Sequence, residues 1–220
     1  MGDYKLMDLD QMEATVLRRV LDPWETSKGK RVRRFLDKLL EGRDLKVQEP
    51  RWELNVYPLY YYFHCDGTRV RPASEIYRMV FDEFCGVFSQ NKDRISLDQV
   101  MSVADAEIDL VIEDADYFVL VEVKDPLPGR KPRFQNTKGI HQLVRQYIQG
   151  VFLSKKINKT FLAATVGAKK ALPLSLNEVD KSLLVMVGNH TGELVISHFD
   201  WEVLGEKPNP CEPQAPTLRS

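Results

Sequence analysis

Apolar positions along this chain follow two periods. Met12, Val16, Leu17, Val20 and Leu21 share one side of a helix predicted over residues 9 to 21. A second helix is predicted from Ser27 to Leu40, with Val32, Phe35, Leu36, Leu39 and Leu40 apolar and Gly42 stopping it. From Trp52 to Cys65 the chain is aromatic and β-prone, with Tyr57, Tyr60, Tyr61, Tyr62 and Phe63, and Asp66-Gly67 marks a turn. Ser74 caps a helix reaching about Phe88, striped by Ile76, Val80, Phe84 and Val87. Thr137 caps another, with Ile140, Val144, Tyr147, Ile148 and Val151 inward. Phe161 to Val166, Leu183 to Val187 and Leu194 to Ser197 read as strands.

The sharpest pattern lies between, in EIDLVIEDADYFVLVEVK, residues Glu107 to Lys124. Two short apolar runs flank the polar turn Glu113-Asp114-Ala115-Asp116, which is a hairpin signal. A two-residue turn at Ala115-Asp116 puts Asp114 opposite Tyr117 and Asp109 opposite Glu122. Alternation then puts Ile108, Leu110, Ile112, Tyr117, Val119, Val121 and Val123 on one face. The other face carries Asp109, Val111, Glu113, Phe118, Leu120, Glu122 and Lys124. Like charges directly opposite one another destabilise a sheet. Facing carboxylates make sense with a cation between them, or with one acid protonated. The alternative is a surface salt bridge from Lys124 to the two acids, an arrangement that contributes about 0–1 kcal/mol.

The element order is helix, hairpin, loop, helix, strand. A helix between two strands predicts a crossover, hence an α/β fold with a mixed central sheet flanked by helices. Residues 1–50 are expected to form an N-terminal helical annex packed on a core over 51–205. Residues 206–220, with Pro208, Pro210, Pro213 and Pro216, read as a disordered tail.

Composition removes some function classes. The net charge of −1 announces no nucleic-acid binder, so any such surface has to be local. No apolar run is long enough to span a bilayer, and the opening MGDYKLMDLD lacks a secretory leader. Cys65, Cys85 and Cys211 show neither zinc spacing nor a disulfide framework, which points to a reducing, cytoplasmic setting.

With Asp109 on the first hairpin strand and Glu122-Val123-Lys124 on the second, the chain resembles the PD-(D/E)XK nuclease superfamily, the restriction-endonuclease-like fold. The resemblance covers roughly Ser74 to Val166. Ile108 stands where the family's first motif has proline. The resemblance implies a metal-dependent nuclease acting on DNA. Asp109 and Glu122 would ligate Mg²⁺ or Mn²⁺, with the Val123 carbonyl as a further oxygen, and Lys124 would assist the attacking water. Family members often add a Glu from the preceding helix, for which Glu75 and Glu83 both qualify, Glu75 being preferred. One exonuclease branch carries Gln and Tyr four residues apart on the next helix; here Gln142 and Tyr147 stand five apart.

Other residues have two readings. Arg130, Lys131, Arg133, Phe134 and Lys138 lie in or just after the loop following Lys124, as a phosphate-contacting set or as an ordinary solvated loop. The helix after the hairpin offers His141, Gln142 and Gln146: Gln142 either touches substrate or faces solvent, Gln146 carries no assigned role, and His141 reads as a surface histidine rather than a ligand. Lys28, Lys30, Arg31, Arg33, Arg34 and Lys38 make the second helix either a solvated face or a phosphate contact. The rival to an enzyme is a catalytically inactive module of the same fold, binding nucleic acid or protein. Residues 1–70, without counterpart in the resemblance, are available as a homodimerisation or DNA-clamping annex.

Overall fold

A computed structural model describes residues 30–43, 50–59, 74–75, 78–79, 82, 96–124, 134–167, 176–186 and 194–200. The expected helix over 9–21, the tail over 206–220, the tyrosine cluster after Leu59 and most of the helix after Ser74 lie outside them.

Helix α1 (Lys30–Leu39) turns its Val32, Phe35, Leu36 and Leu39 inward, and Leu40 follows them. That i, i+3, i+4, i+7 spacing makes one apolar stripe, leaving Arg33 and Arg34 exposed. Gly42, at φ 78°, takes the left-handed conformation beyond its end. Strand β1 (Arg51–Val56) follows, and the chain turns helical at Pro58 and Leu59, where β structure was expected to continue.

Helix α2 (Leu97–Ala104) was not expected. Its signal is nonetheless in the sequence as a capping box: the Gln99 N–H donates to Ser96 Oγ, and the Ser96 N–H donates back to Gln99 Oε1. Strands β2 (Ile108–Glu113) and β3 (Tyr117–Val123) then form the hairpin in the expected register, Glu113 opposite Phe118 and Leu110 opposite Val121. The turn is built by Asp114. Its Oδ1 accepts the Ala115 N–H at 2.6 Å and its Oδ2 accepts the Tyr117 hydroxyl at 2.9 Å.

A two-stranded ribbon, β4 (Asn136–Thr137) and β5 (Ile140–His141), leads into α3 (Gln142–Ile157). The helix was expected to start after Thr137. Lys138 and Gly139 instead take positive φ, 54° and 77°, and fold the chain into a tight hairpin turn. The start is thereby delayed to His141, whose Nδ1 accepts the Leu143 N–H as the N-cap. Asn158, in the left-handed region, closes the other end. Strand β6 (Thr160–Val166) returns parallel to β3, and the Thr160 N–H bonds the Asp116 carbonyl in the hairpin turn.

The stretch Leu183–Val187, expected as a strand, lies instead mostly in α4 (Glu178–Met186). A short apolar run carries no period of its own. Asn177 decides it, its Oδ1 accepting the Asp180 N–H as Glu178 and Asp180 fill an acidic first turn. Strand β7 (Ile196–Phe199) is the last described strand and lies two residues later than the expected Leu194–Ser197.

Among the described residues the main sheet has five strands in the order β1-β2-β3-β6-β7. The first two pairings are antiparallel and the last two parallel, so the fold is α/β with a mixed sheet. One face packs Leu110, Ile112, Tyr117, Val119, Val121 and Val123 against α1. The other packs Val111, Phe118 and Leu120 against α2, α3 and α4. Ile108, assigned by alternation to the α1 face, joins this second core. Central β3 is therefore buried on both faces along its whole length. No described helix is long and apolar enough to cross a membrane.

The Tyr117–Asp114 bond makes a testable contribution. Burial first, then the Asp114 hydrogen bond and charge, push the Tyr117 phenol well above its ordinary 10.0. In the unfolded chain Tyr117 ionises near 10, so its stabilisation is complete below that pH and declines as pH rises. Tyr117→Phe is expected to lower stability by about 1–3 kcal/mol at neutral pH. Urea melts should also show a shallower loss of stability above pH 10 than in the wild type.

Candidate active site

A strand buried on both faces normally reads as a continuous apolar run, and β3 does so except at Glu122. This carboxylate is 2% exposed and lies on the α3 side, in alternation with Leu120 and Phe118. An enclosed charge has to be met by donors. Three side chains meet it. Gln142 Nε2 donates to Oε1 at 2.7 Å, Gln146 Nε2 donates to Oε2, and the Lys124 ammonium pairs with Oε1. Gln142 and Gln146 are four apart on α3 and so share the helix face above the strand.

The paired ladder of the hairpin ends at Leu110–Val121, one residue short of Asp109 and Glu122, which were expected to face one another. Asp109 Oδ2 accepts the Val123 N–H at 2.6 Å, binding the acid of one arm to the backbone of the other. Asp109 thus bonds the residue that stands between Glu122 and Lys124 at the open end of the hairpin. Lys124 is itself buried, with its Nζ 5.3 Å from the centre of the Phe134 ring.

Behind the acids, α3 supplies a second row of polar groups. Arg145 Nη1 donates to the Ser102 carbonyl, and Gln149 Nε2 reaches the carbonyls of Val103 and Ala104. These are the terminal carbonyls that α2 cannot satisfy internally. Gln146 also reaches the Glu107 carbonyl, so one amide ties the start of β2 to Glu122. Burial lowers the Arg145 guanidinium below its usual range, while the charge of Glu122 acts in the opposite sense. Two acids and two bases balance in formal charge.

His141 is half-buried and caps α3. Desolvation lowers its pKa first of all, Asp180 opposing and Arg145 and Lys124 reinforcing. Thr165 occupies the β6 position beside Glu122 and bonds His198 of β7 through Oγ1 and Nδ1 at 2.8 Å, which continues the polar row across the sheet.

No family model, curated protein or solved structure matches this chain.

The remaining candidates fall as follows. Gln142, one of the residues expected to contact substrate, sits on Glu122. Lys138 points elsewhere, its ammonium pairing with Asp98 at 3.1 Å in an exposed bridge, because the β4–β5 turn displaces it from the helix. Glu75 is half-buried in a helical segment, and Glu83, Arg130, Lys131 and Arg133 lie outside the described residues. Tyr147 packs edge-on against Phe161, centroids 5.2 Å apart. The α3 partner of Gln142 at the acid is Gln146, four residues on, which the sequence offered on the same helix without a role. Its signal was the i, i+4 pair of amides on a helix otherwise buried from Leu143 to Ser154.

Two outcomes test this geometry. Glu122→Ala removes the centre of the network and leaves Lys124 buried without its carboxylate, so chemical denaturation should show a loss of about 3–5 kcal/mol. For His141, a depressed pKa means that stabilisation is complete above the unfolded value of 6.5 and is lost as pH falls below it. His141→Asn retains a capping acceptor and should flatten that acid-side decline. Part of the decline should persist, because burial also lowers His198.

Proposed function

We propose that this protein is a metal-dependent nuclease of PD-(D/E)XK type that hydrolyses phosphodiester bonds in DNA. The observation supporting this reading is that Glu122, enclosed in an otherwise apolar central strand, pairs with Lys124, while Asp109 of the neighbouring strand bonds the backbone of Val123 between them. A helix crossing from β3 to a parallel neighbouring strand also agrees with a restriction-endonuclease-like core.

The donor set fits a hard cation. Two carboxylates from neighbouring strands supply oxygen, the ligand type that Mg²⁺ and Mn²⁺ prefer. Among the described residues no three His, Cys, Asp or Glu side chains gather, so the Val123 carbonyl is the proposed third protein oxygen. A divalent ion held there would supply charge neutralisation at the scissile phosphate and a more acidic water. Lys124 then orients the attacking water and offsets the charge growing on phosphorus. Gln146 holds the Glu122 carboxylate in place through Oε2. Arg130, Lys131 and Arg133 are the proposed contacts to the DNA backbone.

A second reading has its own support. Glu122 is already satisfied by Lys124, Gln142 and Gln146, and the surrounding charges balance without an added ion. Such a network also suits an inactive module of the same fold that binds nucleic acid or protein. Mn²⁺-dependent cleavage of single-stranded, duplex and branched DNA separates the two. The nuclease reading expects cleavage, reduced about 10²-fold or more in Lys124→Ala and in Asp109→Ala. Binding to DNA with no cleavage of any substrate establishes the module instead.

A further inference from the structure

Lys124 and Glu122 are 6% and 2% exposed, so in this arrangement neither is open to a bulky phosphodiester. Phe134 contributes directly to the closure. Its ring sits over Lys124 Nζ and leans on the His141 ring, centroids 5.0 Å apart and 41° inclined. His141 is a fixed backstop, because its Nδ1 accepts the Leu143 N–H and its backbone N–H donates to Asp180 Oδ1.

The next residue, Gln135, is bound twice to Gln142. Its N–H donates to Gln142 Oε1 at 3.1 Å, and its carbonyl accepts the Gln142 N–H at 2.8 Å. The other end of the same amide is the donor to Glu122 Oε1. One side chain therefore spans the segment covering Lys124 and the acid beside it. We propose that Gln142 is a latch that holds Phe134 and Gln135 shut over Lys124.

The latch carries a built-in release. A divalent cation held at Glu122 Oε1 would compete with Gln142 Nε2, and an amide swung away from Glu122 would also give up the Gln135 N–H. The backbone bond from Gln142 to the Gln135 carbonyl remains as a pivot. Phe134 would then lift and leave Lys124 reachable. This use of the latch in catalysis rests on the nuclease reading, whereas the latch does not.

The test is amine acetylation of the folded full chain by dilute acetic anhydride, with Lys124 quantified by mass spectrometry against exposed Lys138. In the wild type, Lys124 should react at least about tenfold more slowly than Lys138, because its labelling requires local opening. Phe134→Ala and Gln142→Ala should each raise the Lys124 rate severalfold and leave Lys138 unchanged. If either variant fails to melt cooperatively, Phe134→Leu and Gln142→Glu take its place, the first removing the aromatic ring and the second the donor to Glu122. Equal Lys124 rates in wild type and folded variants overturn the proposal, as does a wild-type Lys124 as reactive as Lys138. Millimolar Mn²⁺ should speed Lys124 labelling in the wild type and add little in Gln142→Ala. If the variants open Lys124 and Mn²⁺ has no effect, the latch stands and the metal reading fails.

Discussion

A carboxylate enclosed between a sheet and a helix is costly unless donors surround it, and that constraint at Glu122 organises one half of this molecule. Lys124 meets it from the same strand, Gln142 and Gln146 from the helix above. To deliver both amides, α3 has to lie over β3 with its 142/146 face down. The same orientation carries Arg145 and Gln149 to the last carbonyls of α2 and brings Tyr147 against Phe161. Gly150 completes the fit, since a Cβ there would collide with the Phe161 ring. The polar network and the apolar packing thus impose one helix position, and each limits movement in the other.

The far end of the hairpin is fixed by an analogous device. Asp114 closes the turn with its own backbone and with Tyr117, and Lys159 bonds the Asp114 carbonyl at 2.7 Å from the start of β6. With the turn set, the register follows as far as the Leu110–Val121 pair. Beyond it, Asp109 is tied across the ribbon by the Val123 N–H. A slip of one residue would turn the apolar set of a strand to the opposite face.

Much of this was legible in the sequence because it obeys short periods. Alternation across residues 107–124 yielded the register and both faces of the hairpin, Ile108 apart. The stripe Val32, Phe35, Leu36, Leu39 yielded α1. The failures have physical causes. Leu183–Val187 is too short an apolar run to separate strand from buried helix, and the Asn177 cap decides for helix. At Thr137 a plausible cap is overruled by the left-handed pair Lys138-Gly139, which inserts a small ribbon before the helix. The role of Gln146 was out of reach because periodicity locates apolar faces, whereas the partner of a polar side chain depends on what the fold lays opposite it. Gln142, weighed between substrate contact and solvated face, meets Glu122 for the same reason.

Gln142 joins the structural and chemical halves of this account. It satisfies a buried acid and fastens the segment over the adjacent ammonium, so occupancy of the acid and access to the ammonium become one equilibrium. The reading depends on Asp109 and Glu122 together binding a divalent ion. Calorimetric titration of the intact chain with Mn²⁺ tests that most directly, with Asp109→Ala as the comparison. The account predicts saturable binding to the wild type that is lost in the variant. No binding at millimolar Mn²⁺, or binding unchanged by Asp109→Ala, would contradict it.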